Sequence, residues 1–242
     1  MTSEKRTIVF IHYFGGDSGS WKWLDKHLDH NYDSVYLDLP GFNGTEALEE
    51  LSIRKFAEWI KAQIEGRDLK RYVLCGHSMG AKLALFTAFL MKTNPPEKII
   101  LIAPSPPTVE NMPAHEKKRM LHHPDEDEAI ITVENATCKS MKPKKFDYAV
   151  QSQLRIEYKT WGWWIKEGMG TDVSWATKNL DIPTFVICST SDPVIGMDDI
   201  HEEVLPHIQN ARLSTFGKSG HLIPMESSRK LAKRINRIMR KW

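Results

Sequence analysis

Residues 72–80 read YVLCGHSMG, and this stretch decides the fold. Tyr72, Val73 and Leu74 form a short apolar run, Gly76-His77-Ser78-Met79-Gly80 follows at once, and residues 81–91 beyond it carry helical spacing. A GxSxG turn between a strand and a helix leaves no room for side chains at its two glycines, and it lifts the serine hydroxyl clear of the sheet. The helix that starts behind Ser78 also offers free N–H groups to an anion. A chance GxSxG in a loop would lack the flanking strand and helix. Ser78 is therefore the candidate nucleophile.

Other short apolar runs lie at 8–11, 35–37, 99–102 and 185–187, with a weaker one at 212–216. Runs that are apolar without alternation predict strands of a parallel sheet covered on both faces. Between them the period changes to that of helices. In SIRKFAEWIKAQIEG, residues 52–66, Phe56, Ile60 and Ile64 recur at spacing four and Gly66 follows as a stop. Residues 227–239 carry the same spacing. This alternation predicts an α/β fold with a doubly wound, mostly parallel, six-stranded sheet.

The alternation breaks between residues 106 and 179 and returns at DIPTFVICS, residues 181–189. The expected organisation is a core of residues 1–105 and 180–242 with a helical cap at 106–179. The acidic run 125–128, after Pro124, reads as a solvated helix N-terminus.

The chain has 242 residues, 41% hydrophobic and 26% charged, enough to bury a core as one domain with an insertion. Its 33 Lys and Arg stand against 31 Asp and Glu, a net +2, so neither nucleic acid nor an anionic membrane is an expected partner. No window approaches the roughly 20 apolar residues of a membrane span. In MTSEKRTIVFIHYF the apolar stretch is short and His12 interrupts it, so no signal peptide is expected and a cytoplasmic location is the default. Cys75, Cys138 and Cys188 are an odd set without CxxC spacing, which argues for reduced, mostly buried thiols over a disulfide framework or a zinc site.

A serine hydroxyl needs a base to take its proton and an acid to orient that base. Of the ten histidines, His221 has the best context, in GKSGHLIP after the last strand and before the last helix. Asp192 follows the strand at 185–187, whereas Asp198 and Asp199 lie further on and suit a helix start. His77 reads as a packing residue and His122 and His123 as exposed residues of the cap. The loop His12-Tyr13-Phe14-Gly15-Gly16, at the end of the first strand, can aim the N–H of Phe14 at a developing oxyanion, with the N–H of Met79 as second donor. Gly15 and Gly16 would let that backbone approach the substrate.

At these residues the chain resembles the α/β-hydrolase superfamily over nearly its whole length. The loop at 12–16, Asp38-Leu39-Pro40-Gly41, the GHSMG turn, Ile182-Pro183-Thr184, Ser191-Asp192 and Gly220-His221 fall in that family's order. The resemblance implies Ser78 as nucleophile, His221 as general base, Asp192 as its partner, Phe14 and Met79 as oxyanion donors, and Asp38 as a structural residue. Tyr13 stands where many relatives have glycine; it could narrow the pocket mouth, present its hydroxyl to the substrate, or simply pack. The first strand starts almost at the N-terminus, which leaves no room for the antiparallel pair that often opens this fold.

The expected chemistry is hydrolysis of a carboxylic ester or lactone through an acyl-enzyme, with no cofactor or metal. The partner is a small molecule bearing an apolar or aromatic group. Trp161, Trp163, Trp164 and Trp175 gather near the end of the cap, where they could wall the substrate, Trp161 and Trp164 foremost, or only glue cap to core. Carbon–carbon bond cleavage of a diketone-like substrate uses a similar triad, and a ligand receptor on this fold is a third reading. Epoxide hydrolases and haloalkane dehalogenases carry Asp where this chain has Ser78. Oligomeric state is not readable from the sequence.

Overall fold

The computed structural model describes residues 5–240; residues 1–4 of the N-terminal stretch and 241–242 of the expected core segment lie outside the described residues. The chain runs β1 (Thr7–Ile11), α1 (Lys22–Asp25), β2 (Asp33–Leu37), α2 (Ile53–Gly66), β3 (Tyr72–His77), α3 (Met79–Leu90) and β4 (Lys98–Ile102). The insertion follows as α4 (Ala114–Met120), α5 (Glu126–Asn135), α6 (Pro143–Leu154), α7 (Tyr158–Trp163), a wide π turn at Trp164–Gly168, and α8 (Ser174–Thr177). Then come β5 (Thr184–Ser189), α9 (Met197–Asp199), β6 (Ala211–Phe216), α10 (Ile223–Glu226) and α11 (Ser228–Arg240).

All six strands pair in parallel in the order β2-β1-β3-β4-β5-β6. The direction of winding reverses between β1 and β3, whose register sets Ile11 beside Gly76. Beyond the C-terminal ends of two such strands the connections part to opposite sides, leaving the crevice in which open α/β sheets bind ligands.

The unbroken apolar runs have their cause in a sheet covered on both sides. Val9, Ile11, Leu74, Ile99 and Leu101 face α2 and α3, while Ile8, Phe10, Val73, Cys75, Ile100 and Ile102 face Trp21, Leu24 and the Leu231 and Ile235 stripe of α11. Each such side chain, fully buried, contributes about 1.5–3 kcal/mol. In α2 the spacing-four residues Phe56, Ile60 and Ile64 are buried, and the Ser52 hydroxyl caps the helix by accepting from Lys55 N–H at 3.1 Å. β6 gave the weakest signal because it is an edge strand whose residues are only half-buried.

Helix α3, which follows Ser78, is buried all round over residues 79–88, Lys82 included. Lys82 Nζ donates to the carbonyls of Thr108 (2.8 Å) and Met169 (3.2 Å), and burial pushes its pKa down to about 8. In the insertion, Asp125 caps α5 by accepting from Glu128 N–H at 3.0 Å, as the acidic run predicts. Ala129, Val133, Ala149 and Val150 pack on Tyr13, Leu222 and Met225, so the insertion lies against the loops that follow β1 and β6. His122 is exposed as expected, but His123 is not: its ring stacks on Trp161 and its Nε2–H donates to Ile156 O at 2.8 Å. The partners on α7 and the preceding turn, Trp161 and Ile156, are what bring His123 inward. Cys75 and Cys188 are buried and Cys138 is exposed; all three are free thiols.

Candidate active site

Ser78 closes β3 with φ 53° and ψ −118°, a conformation that costs an ordinary residue about 1–3 kcal/mol. Hydrogen bonds hold it there. Its N–H donates to Ile102 O (3.0 Å), and its carbonyl accepts from Ala81 N–H (2.8 Å) and Ser105 N–H (3.2 Å). The two glycines have steric causes: a Cβ on Gly76 would run into the backbone of Gly80 and Ala81, and one on Gly80 into the backbone of Ile11 and His12. Neither neighbour can yield, because each is main chain. Met79 opens α3, so its N–H has no acceptor within the helix.

His221 and Asp192 pair on the loops that follow β6 and β5. His221 Nδ1 lies 2.9 Å from Asp192 Oδ2, with both side chains almost wholly buried. The other carboxylate oxygen accepts from Val194 N–H (2.8 Å) and Ile195 N–H (3.0 Å), which fixes the acid from its own loop. Burial by itself would lower the His221 pKa, but the Asp192 carboxylate outweighs it, helped by Glu110 and Glu226, and the net shift is upward. Burial likewise opposes the Asp192 charge, yet His221 and the loop N–H groups bring its pKa below the ordinary carboxyl value.

Several partners of His221 escaped the reading of the sequence. His77, adjacent to Ser78, is buried and its Nε2–H donates to His221 O at 2.9 Å. Burial, with His221 nearby, pushes its pKa down to about 3, so it stays neutral. Packing was expected of it; holding the backbone of His221 was not. From the insertion, Ala136 O accepts from His221 N–H at 2.7 Å, and Glu226 accepts from Gly220 N–H at 2.9 Å. No sequence pattern marks the contacts of His77 and Ala136 with His221, which join segments far apart in the chain.

The loop after β1 is braced from both ends. His12 donates from Nδ1 to Tyr13 O (2.8 Å) and accepts at Nε2 from Leu39 N–H (3.2 Å). On the insertion side, Ser152 Oγ donates to Gly15 O (2.9 Å), and the buried Asp17 accepts from Arg155 (2.8 Å) and from the Tyr148 hydroxyl. Gly15 lines the cavity, but Gly16 does not serve substrate approach: a Cβ there would strike the ring of Tyr13. Tyr13 is buried and tilted against His77, and its ring still forms part of the wall. Asp38 accepts from Ser18 N–H and Oγ, both at 2.9 Å, and Asp199 accepts from Gly196 N–H at 2.9 Å, both structural roles as expected.

These parts surround a cavity of about 450 Å³ lined by Ser78, His221, Tyr13, Phe14, Trp161 and Trp164 among others. Phe14 stacks on Trp161 with ring centroids 4.2 Å apart, and Trp161 Nε1 donates to Met120 O at 2.6 Å. The four tryptophans divide. Trp161 and Trp164 wall the cavity, whereas Trp163 stacks on Phe56 (5.1 Å) and Trp175, 59% exposed, packs on Phe86 and Phe89. Trp163 and Trp164, neighbours on the helical backbone, therefore present their rings to different surroundings, α2 and the cavity.

The sequence profile of the alpha/beta hydrolase family matches residues 8–234, and the chain belongs to that family. Among named relatives, a Mycoplasma genitalium protein provisionally assigned as an esterase/lipase is 35% identical over 103 residues, 42% of this chain. The match spans only 37% of that relative's length. The uncharacterised hydrolase YugF of Bacillus subtilis is 24% identical over 96% of this chain and 89% of its own. An esterase from Exiguobacterium antarcticum superposes with a TM-score of 0.88 at 16% identity, over 98% of this chain and 93% of that one. Among the described residues, no helix is long and apolar enough to cross a membrane.

Proposed function

We propose that the protein is a serine hydrolase that cleaves a carboxylic ester or lactone of a small molecule. The observation that carries this reading is the 2.9 Å Asp192–His221 pair opening on the same cavity as Ser78, a serine held at φ 53°. His221, oriented through Nδ1 by Asp192, presents Nε2 to take the Ser78 proton, and the serine oxygen attacks the substrate carbonyl. The N–H groups of Phe14 and Met79 hold the oxyanion that forms. The alcohol leaves with the proton from His221, and water, deprotonated by the same imidazole, releases the acid and restores Ser78.

Residues 106–179 form the cap in this reading. Its helices carry Trp161 and Trp164, and its contacts with the loops at Gly15 and His221 keep both loops in place over the sheet. The apolar and aromatic wall suits a substrate with an apolar or aromatic group next to the scissile bond.

The test pairs wild type with Ser78→Ala on a series of p-nitrophenyl esters of increasing acyl length and a set of lactones, with fluorophosphonate labelling read by mass spectrometry. Turnover and a labelled Ser78 in the wild type, with turnover lowered by a factor on the order of 10⁴ or more in the variant, are the expected results. Labelling without turnover of any ester or lactone would move the assignment to carbon–carbon cleavage, read directly by product analysis. Neither signal would leave a ligand receptor.

A further inference from the structure

Glu110 lies on the connection after β4, lines the cavity together with Ser78 and His221, and is 9% exposed. One carboxylate oxygen, Oε2, accepts from the Ser105 hydroxyl. The other, Oε1, has no hydrogen-bond partner among the described residues. Its main chain is pinned by donation from Glu110 N–H to Met169 O at 2.9 Å, so the side chain starts from a fixed point.

The remaining charged groups of this wall are already matched. Arg119 donates to Glu116 (2.7 Å) and Glu128 (2.9 Å), and Asp192 is spent on His221 and its own loop. The buried Lys82 ammonium favours the charged form of Glu110, but its own hydrogen bonds go to the carbonyls of Thr108 and Met169. Burial works against the Glu110 charge and raises its pKa, while the unpartnered Oε1 is not sealed from solvent, so the cavity wall holds a carboxyl oxygen that a bound donor would satisfy. A hydrocarbon set against it would leave the acceptor unpaired, and a site built around such a group discriminates strongly against substrates that lack the donor.

We infer that Glu110 forms a polar subsite of the cavity that selects substrates carrying a hydrogen-bond donor, a hydroxyl or an ammonium group, at a distance from the scissile bond. The inference rests on the serine-hydrolase reading for its assay. It makes Glu110 a specificity residue, with the tryptophan wall taking the apolar part of the same substrate.

The experiment uses matched esters that differ only at the end of a three- to six-carbon acyl or alkoxy chain, which closes in a hydroxyl, a dimethylammonium or an isosteric hydrocarbon group. Hydrolysis is followed by proton release. At one chain length the wild type is expected to favour a donor-bearing ester over its hydrocarbon match severalfold, up to about tenfold, in kcat/KM, the ratio given by one hydrogen bond to the carboxyl oxygen. That ratio is expected to collapse toward unity in Glu110→Met and to fall severalfold in Glu110→Gln, with fluorophosphonate labelling of Ser78 reporting that each variant has an assembled site. A wild type without the preference, or a preference that both variants keep, overturns the inference. Hydrolysis of the hydrocarbon esters without that preference leaves the serine-hydrolase reading standing and removes only the subsite; absence of both hydrolysis and labelling removes both.

Discussion

The turn at Ser78 and the insertion between β4 and β5 wall the same cavity from opposite sides. In the turn, contacts are short in sequence and made by main chain: Gly76 and Gly80 are required by backbone atoms, and Ser78 is held by its neighbours in β3, β4 and α3. In the insertion, the contacts that matter reach distant loops, through the side chains of Ser152 to Gly15 and of Arg155 and Tyr148 to Asp17, and through the main chain of Ala136 to His221. The glycines of the first region are fixed by main-chain atoms that cannot move aside, whereas the second region's hold on the loop after β1 depends on side chains that single substitutions can remove.

The sharpest way to break this comparison is at the proposed triad. Asp192→Asn keeps the loop bonds possible but removes the charge that opposes the effect of burial on His221. Turnover is expected to fall on the order of 10³- to 10⁴-fold. The base must be neutral to accept a proton, so wild-type kcat/KM should decline as pH drops through a value above the ordinary imidazole pKa of 6.5. In Asp192→Asn, burial prevails and that acid limb moves to lower pH. A pH–rate profile of both proteins checks the sign, and an unmoved limb would exclude His221 as the titrating base.

Next comes the turn itself. Gly80→Val sets a branched side chain against the backbone of Ile11 and His12, where nothing can shift without moving β1. A loss of about 3 kcal/mol of stability, or failure to fold, is expected and is read from the denaturant midpoint. An equal loss on placing valine at Gly44, where an added Cβ meets nothing within 4 Å but φ is +76°, would mean that backbone strain rather than close approach governs the cost.

The smallest effect divides the tryptophans. Trp164→Ala enlarges the cavity and is expected to shift the preferred acyl group to a longer one, by a severalfold change in the kcat/KM ratio between long and short esters. Trp175→Ala, at an exposed site away from the cavity, should leave that ratio unchanged within twofold. Equal shifts in the two variants would show that the insertion acts on selectivity as a packed whole and not through its lining residues.

Much of this could be read from residues alone, for reasons that differ by element. β1, β3, β4 and β5 were visible because a sheet buried on both faces demands unbroken apolar runs, and the edge strands β2 and β6, mostly half-buried, gave a shorter run and a fainter one. Ser78, Asp192 and His221 were visible because each follows a strand end with a turn residue or a helix start beside it. His123 was misread because a histidine beside an exposed histidine carries no sign of a stacking partner, and Trp161 lies 38 positions further along. The tryptophans could not be sorted because they share one segment, and which ring meets the cavity depends on how that segment packs on α2 and the β1 loop.

By itself the sequence determined the parallel sheet, the strained serine turn and the order of the candidate triad, since apolar period, glycine sterics and chain order are local or cumulative properties. Only the tertiary structure decided that His77 and Ala136 grip the backbone of His221, that Trp161 and Trp164 but not Trp163 or Trp175 meet the cavity, and that Glu110 lies in its wall beside Ser105. Those are contacts between segments whose approach is set by packing the insertion onto the sheet, and packing depends on the whole chain at once.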